Sequence, residues 1–506
     1  MIFAFDNTYA RLPYRFHARV IPTAVARPTL LQVNEDLAHQ LGLNPSELRN
    51  QEATDIFAGN RLPEGAEPLA MAYAGHQFGS FVPQLGDGRA ILLGELVTPR
   101  GMRFDIQLKG AGRTPFSRAG DGRAWLGPVL REYLVSEAMH SLGISTTRGL
   151  AAVATGEPVY REHPLPGAIL TRVAGSHVRV GTFEYFRARQ DSAALKTLAD
   201  YVIARHYPAL AEAEQPYGEL LEAVATRQAD LIAAWMSVGF IHGVMNTDNT
   251  SIIGETIDYG PCAFMDSYDP TTVFSSIDYR GRYAYGNQAR IAHWNLSSLA
   301  LSFRPLLEQE SDQAAARATA ALDLFQTRFD QAWLSCFGRK LGITNARNED
   351  RTLIKDFLDL LARHRADFTN SFSALCSAPE DGGEALGREV ERRNPGEACA
   401  NWLARWHQRL ASDPRTNAER SQMMRQANPA VIPRNHRVEQ ALDAAVEGDM
   451  KPFERLLAVV RRPWMDGGTV RASDGGHDAG EDAEISAFYR APPKPQEVVQ
   501  YTFCGT

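Results

Sequence analysis

A lysine, an asparagine and two aspartates stand in this chain at spacings that suit work on a nucleotide. Lys109 ends the alternating stretch Phe104-Asp105-Ile106-Gln107-Leu108, downstream of the turn Leu85-Gly86-Asp87-Gly88-Arg89. Glycines there permit a tight turn and let backbone N–H groups approach a phosphate. Glu132 and Glu137 lie on the next helical stretch, and spacing does not say which of them holds the lysine. Further on, Asn249 and Asp258 offer an amide and a carboxylate, hard oxygen donors that suit Mg²⁺ completed by water and phosphate. Asp248 either braces its loop through a side-chain hydrogen bond or accepts a proton. Arg172 and Arg179 carry forked donors that match phosphate oxygens as lysine does not. With Arg89 and the turn Gly120-Asp121-Gly122 they could clamp a triphosphate. Taken singly, each residue has a plain explanation as a hairpin turn, a solvated charge or a surface ion pair. As an ordered set they favour nucleotide binding.

That order is the one found in protein kinases: glycine loop, strand lysine, helix glutamate, catalytic loop, then Asp-x-Gly. The kinase catalytic loop reads H-R-D-L-x-x-x-N, and His242-Gly243-Val244-Met245-Asn246-Thr247-Asp248-Asn249 keeps its histidine and asparagine. Val244 occupies the base position, and valine cannot take a proton. Asp248, beside the metal-binding amide, becomes the candidate base. Asp258-Tyr259-Gly260 follows, and removing its carboxylate, which fills no core, is expected to leave the fold intact.

The elements that must hold these residues are legible in outline. FVPQLGDGRAILLGELV and MRFDIQLKG read as strands broken by glycine turns. Residues 127–143 place Val129, Leu130, Tyr133, Leu134, Ala138 and Leu142 at helical spacing. Strands return in EPVYRE and GAILTRVAG, and 192–240 is helical. Residues 242–261 read as loop, strand, turn, strand, with the strands at 251–253 and 256–257. From 290 to 460 the pattern is mostly helical. Residues 1–70 read as irregular, and the Gly- and Asp-rich run 466–484 as a mobile surface loop. The string GDGRA occurs twice, at 86–90 and 120–124.

Composition excludes some classes. Hydrophobic residues at 44% and charged residues at 22% are ordinary for a soluble globular protein. A net charge of -7 offers no broad attraction to nucleic acid. The five cysteines are scattered without a CxxC pair, which argues against structural zinc and disulfides. No apolar run reaches the roughly eighteen residues of a membrane helix, and the start lacks a signal-peptide pattern. The cytoplasm is the expected location, and no membrane partner is expected.

YAGHQFGSFVPQLGDGRAILLGE, LKGAGRTPFSRAGDGRAWLGPVLREYLVSEAMHSLGI, HGVMNTDNTSIIGETIDYGPCAFMD and NPAVIPRNHRVEQAL closely resemble the selenoprotein O family, also called the YdiU family. The likeness runs from the first residues to the C-terminus. It implies an α+β, protein-kinase-like, two-lobed fold: an N-terminal extension (1–75), an N-lobe (76–185), a C-lobe (186–290) and a mostly helical C-terminal region (291–506). It also implies that ATP binds flipped relative to kinases and that AMP passes to Ser, Thr or Tyr hydroxyls of protein substrates. By the same resemblance, Gly86, Gly88 and Arg89 line the nucleotide loop, and Lys109 contacts phosphate and pairs with Glu132 rather than Glu137. Asp121, Gly122, Arg172, Arg179 and Asp258 complete the ATP site. Asp248 is the proton acceptor, and Asn249 and Asp258 ligate Mg²⁺, with Mn²⁺ and UTP as alternatives to Mg²⁺ and ATP. Cys504 stands third from the C-terminus, where the family carries selenocysteine or cysteine, and the residues name no convincing redox partner for it. Two rival activities, γ-phosphoryl transfer with Asp248 as base and ATP held by an inactive scaffold, explain the arginines less well. The choice between AMP and phosphate transfer rests on the resemblance.

Overall fold

In the computed structural model the described residues are 3–310, 312–391, 396–464 and 479–502, the last run with side chains from 484 onward. Their first part builds a sheet. Its strands are β1 (His17–Arg19), β2 (Thr29–Val33), β3 (Leu69–Met71), then, beyond a separate hairpin of β4 (Gly75–Gln77) and β5 (Ser80–Val82), β6 (Ala90–Val97), β7 (Arg103–Lys109), β8 (Ala124–Trp125), β9 (Arg148–Tyr160) and β10 (Pro164–Ala174). The order is β1-β3-β6-β7-β10-β9-β2, with β8 added on β10, and neighbours run antiparallel. The region read as irregular thus supplies three strands of the sheet. A two-residue ladder joins β11 (Phe240–Ile241) to β12 (Ala263–Phe264).

Helices cover both faces of the sheet. Behind it lie α1 (Glu35–Leu41) and α2 (Gln51–Phe57), whose Leu37, Leu41, Ile56 and Phe57 share a core with Ile91, Leu93, Ile106 and Leu108. Successive side chains on a strand point to opposite faces, so Asp105, Gln107 and Lys109 of β7 look the other way. On that front side lies α3 (Leu126–Ser141), closed by Gly143 at φ 77, the left-handed residue that commonly ends a helix. The alternation of β7 therefore does not mark a strand with one wet face. Asp105 and Gln107 are buried.

The remainder is helical: α4 (Val180–Ala188), α5 (Ser192–His206), α6 (Pro216–Ser237), α7 (Gln288–Glu310), α8 (Ala314–Lys340), α9 (Asp350–His364), α10 (Phe368–Leu375), α11 (Ala378–Asp381), α12 (Glu384–Glu391), α13 (Glu397–Leu410), α14 (Asn417–Arg425), α15 (Asn435–Val446), α16 (Lys451–Val460) and α17 (Ala479–Arg490). The fold is mixed α/β, with its sheet in the N-terminal part and helices in the C-terminal part. Among the described residues no helix is long and apolar enough to cross a membrane.

Two expectations change. The strands expected at 251–253 and 256–257 do not form, and that segment meets its neighbours only through isolated bridges, Arg179 with Ser251 and Thr146 with Thr256. Side chains add to the backbone bonds of these bridges, such as Ile252 N–H to the Val178 carbonyl at 3.1 Å and Thr256 N–H to the Ser145 carbonyl at 2.9 Å. Gln228 donates to the Ser251 carbonyl at 2.7 Å, Tyr207 to the Ile252 carbonyl at 2.8 Å and the Trp235 indole to Thr256 Oγ1 at 2.8 Å. Buried backbone groups need partners of some kind, and here the ladder is not the supplier. The run 466–484 lies outside the described residues up to 478, and helix α17 begins at Ala479, inside the stretch read as loop.

Candidate active site

Strand register decides which side chains meet. Lys109 at the end of β7 stands opposite Leu170 of β10, and Arg172, two residues further along β10, stands opposite Gln107. Residues two apart share a face, so Lys109 and Arg172 both point toward α3. Glu132 on that helix takes both: Lys109 Nζ donates to Oε2 at 2.5 Å, and Arg172 Nε faces Oε1 at 2.9 Å. Glu137, one turn on, faces elsewhere. It is buried and paired with Arg148 of β9 and with Arg461. Neither glutamate is a solvated helix charge.

Asp258 is the centre of this cluster. Its Oδ1 accepts from Lys109 Nζ at 3.0 Å and from Arg172 at 2.6 Å, and its Oδ2 accepts from Arg179 at 3.1 Å. Burial disfavours the carboxylate, but Arg172, Lys109 and Arg179 outweigh it and hold the group well below the usual range. Asp258 sits at φ 62, left-handed space that Asp tolerates better than most residues. The same Arg179 nitrogen donates to the Asp248 carbonyl at 2.9 Å and so ties the two loops together.

Asp248 lies in a single 3₁₀ turn, Thr247–Asn249. Burial pushes its carboxyl up to about 6, and the bond from Gln77 Nε2 to Oδ2, at 3.2 Å, is the main opposing influence. Oδ1 is buried without a hydrogen-bond partner. Asn249 gives its amide N–H to the Val244 carbonyl at 2.9 Å, which fixes the side chain and leaves its oxygen uncommitted by that bond. His242 is fully buried, stacked on Trp235 at 5.4 Å and bonded to the Ile257 carbonyl at 2.9 Å, so it braces the loop.

The cluster around Asp258 and Asp248 lines one cavity of about 680 Å³, which Glu137 and His242 do not reach. Gly86, Gly88, Arg89, Lys109, Asp121, Gly122, Glu132, Arg172, Arg179, Asp248, Asn249 and Asp258 all reach it, and so does Val244. Both copies of GDGRA contribute, but they differ. Asp87 is buried and accepts from the Met71 N–H at 3.0 Å, whereas Asp121 is exposed on the rim and pairs with Arg161 at 2.9 Å. A Cβ on Gly86 would stand 2.3 Å from the Phe116 ring, and one on Gly122 would stand 2.0 Å from the Gly112 carbonyl. The two glycine turns are thus packed tightly against their neighbours. Sequence reasoning missed Gln77, Phe116, Arg118, Arg123 and Arg161 in the lining. The repeated GDGRA was the available signal for Arg123; Gln77 and Arg161 gave none.

The donor set fits a hard divalent cation. Asp258 is kept ionised, as a ligand must be, and its three bonds occupy three of about four lone-pair positions on a carboxylate. Among the described residues no group of three or more His, Cys, Asp or Glu side chains could hold a metal, so phosphate and water would complete the shell. Cys262, Cys336, Cys376 and Cys399 are not in disulfides, and Cys504 lies outside the described residues.

Known proteins of similar sequence are named nucleotidyltransferases. Protein nucleotidyltransferase YdiU of Bradyrhizobium sp. (strain BTAi1) is 58% identical over 505 residues, covering 100% of this chain and 99% of its own. The protein of the same name from Rhizobium etli (strain CIAT 652) is 56% identical, over 100% of this chain and 97% of its own. The class is that of the nucleotidyltransferase enzymes. The family model "Protein adenylyltransferase SelO" matches residues 1–461, and the chain belongs to that family.

Proposed function

We propose that the protein transfers AMP from ATP to Ser, Thr or Tyr hydroxyls of other proteins and releases pyrophosphate. The observation that carries this is the match to the adenylyltransferase family model, and the placement of carboxylates supplies a candidate base in the cavity. Val244 faces it at the kinase base position, while Asp248 brings a carboxylate with one unpartnered oxygen. The frame we infer is a protein-kinase-like pair of lobes, 76–185 and 186–290, with an extension (1–75) and a helical region (291–506). The Lys109–Glu132 pair between strand and helix supports it.

In the reaction the acceptor hydroxyl attacks the α-phosphorus and gives its proton to Asp248. The bond from the α-phosphorus to its bridging oxygen breaks, and pyrophosphate leaves with the electron pair. We place ATP flipped relative to kinases, with its α-phosphate toward Asp248. Lys109, Arg172 and Arg179 offset phosphate charge in a site where burial strengthens each contact. Asn249 and Asp258 would hold Mg²⁺, which when bound supplies further charge neutralisation on the phosphates. Arg89, Asp121 and Gly122 shape the entrance, where Arg161 orients Asp121.

The test is ATP labelled separately at the α- and γ-phosphates. The α-label should become protein-bound, on added proteins and on the enzyme itself, and the γ-label should not. Transfer of the γ-label alone would overturn the assignment.

A further inference from the structure

Among the described residues the β4–β5 hairpin pairs only with itself, through Gly75 with Val82, His76 with Phe81 and Gln77 with Ser80. Yet three successive hairpin residues bind three successive residues of the Asp248 loop. The His76 N–H donates to Thr247 Oγ1 at 2.7 Å, Gln77 Nε2 to Asp248 Oδ2 at 3.2 Å, and the Phe78 N–H to Asn246 Oδ1 at 3.1 Å. Glu184 of α4 locks the contact from behind. Its Oε1 lies 2.6 Å from His76 Nδ1, and its Oε2 accepts from the Thr247 hydroxyl at 2.5 Å. Close approach requires the glycine at 75, because a Cβ there would stand 2.5 Å from Asp248 Oδ1.

We infer that Gln77 is a positioning residue, the side chain that fixes the orientation of the Asp248 carboxylate toward the acceptor hydroxyl. Its role rests on Asp248 being the base. The Gln77 bond to Oδ2 is the side-chain hydrogen bond that fixes this carboxylate, because Oδ1 is buried against Gly75 without a partner. The chemistry of an amide suits this task. It orients one oxygen by a neutral hydrogen bond, whereas a lysine or arginine would neutralise the carboxylate and weaken it as a base. During transfer the acceptor O–H bond breaks as the new O–P bond forms and pyrophosphate leaves, and the proton passes to the Asp248 carboxylate. Gln77 holds that carboxylate throughout.

Gln77→Met keeps the length of the side chain and removes the donor. Misplacement of a reacting group by about 1 Å can cost 10²-fold, so kcat for transfer of α-label to a protein acceptor should fall roughly ten- to a hundred-fold. ATP affinity, measured by equilibrium binding, should stay at the wild-type value and certifies that the variant is folded. In an Asp248→Ala background the same substitution should change the residual rate by less than twofold, since Gln77 acts only through that carboxylate. An unchanged kcat in Gln77→Met beside a crippled Asp248→Ala enzyme overturns the role of Gln77 alone. So does a proportional loss in the Asp248→Ala background, or an ATP affinity that falls with the rate. Wild-type kcat in Asp248→Ala itself overturns the base assignment, and the role of Gln77 with it.

Discussion

At the scale of single residues, the site is an arrangement of charge around Asp258. Lys109, Arg172 and Arg179 keep side-chain exposures of 13%, 2% and 3%, so they have little water to fall back on if that carboxylate goes. Sequence alone suggests that Asp258→Ala spares the fold, because no core volume is lost. The geometry argues the reverse. Breaking a buried ion pair from one side costs about 3–5 kcal/mol, and urea unfolding without nucleotide should show a loss of that size together with abolished transfer. Unchanged stability would mean that the three cations find other partners, Glu132 first among them. Asp248→Ala differs in kind, because no cation side chain depends on that carboxylate. There kcat should fall about 10²–10⁴-fold with ATP affinity kept, and adding Val244→Asp should restore nothing if the α-phosphate faces position 248. Recovery of AMP transfer would show that the α-phosphate lies within reach of position 244 and not of 248 alone. The identities of Lys109, Arg172, Arg179 and Asp258 were legible because few residue types can do this chemistry and their order is informative. Their engagement with one another was not, since it depends on β7 lying beside β10. Gln77 and Arg161 were invisible because a glutamine in a three-residue strand and an arginine in a turn break no pattern.

At the scale of elements, α3 carries the most weight. The helical spacing of Val129, Leu130, Tyr133, Leu134 and Ala138 was plain in the sequence, and those residues do form a core. What the spacing hid is what packs on that stripe. Val438, Leu442, Phe453, Leu456 and Leu457 of α15 and α16 pack on it, and Arg131 reaches the Cys262 carbonyl at 3.0 Å and Asn435 at 2.9 Å. An amphipathic stripe announces a buried face, and a partner about three hundred residues downstream leaves no local trace. The short strands β1 and β3 escaped notice for a related reason, being too brief to show a period of two. The C-terminal helices therefore clamp the helix that holds Glu132 against Lys109. Phe453 is fully buried, with its ring 6.3 Å from that of Tyr133. Phe453→Ala should cost about 3–5 kcal/mol in urea unfolding, although the residue is remote in sequence from every nucleotide motif. A loss below about 1 kcal/mol would show that α16 rests on α3 without supporting it.

At the scale of the molecule, buried charge networks join regions far apart in the chain. Asp105 of β7 accepts from Arg205 of α5 at 2.6 Å and from the His177 N–H at 2.9 Å, binding the sheet to the helices. Arg434, at the start of α15, bonds Asp266 just past β12 and meets Asp367, the N-cap of α10, at 2.7 and 3.1 Å. Arg434 lies in the NPAVIPRNHRVEQAL stretch, yet nothing in the sequence singles it out or names its two partners. Burial pushes the Asp266 carboxyl up to about 6, Arg434 pulls it down and Asp367 pushes it further up. A raised folded-state value means that the folded protein prefers the protonated acid, so this group makes stability fall as pH rises from about 4 to about 6. Arg434→Met keeps most of the buried volume and removes the opposing charge. The folded-state value of Asp266 then moves higher still, and the falling window extends above 6. At pH 7.5 both carboxylates lack their counterion, and the substitution should cost about 3–5 kcal/mol. At pH 5 Asp266 is protonated in the folded variant, and the cost should be smaller by at least about 1.4 kcal/mol, the equivalent of one pKa unit. Urea unfolding of both proteins at the two pH values measures the difference, and equal costs at both would mean that Arg434 acts through packing rather than through the charge of Asp266.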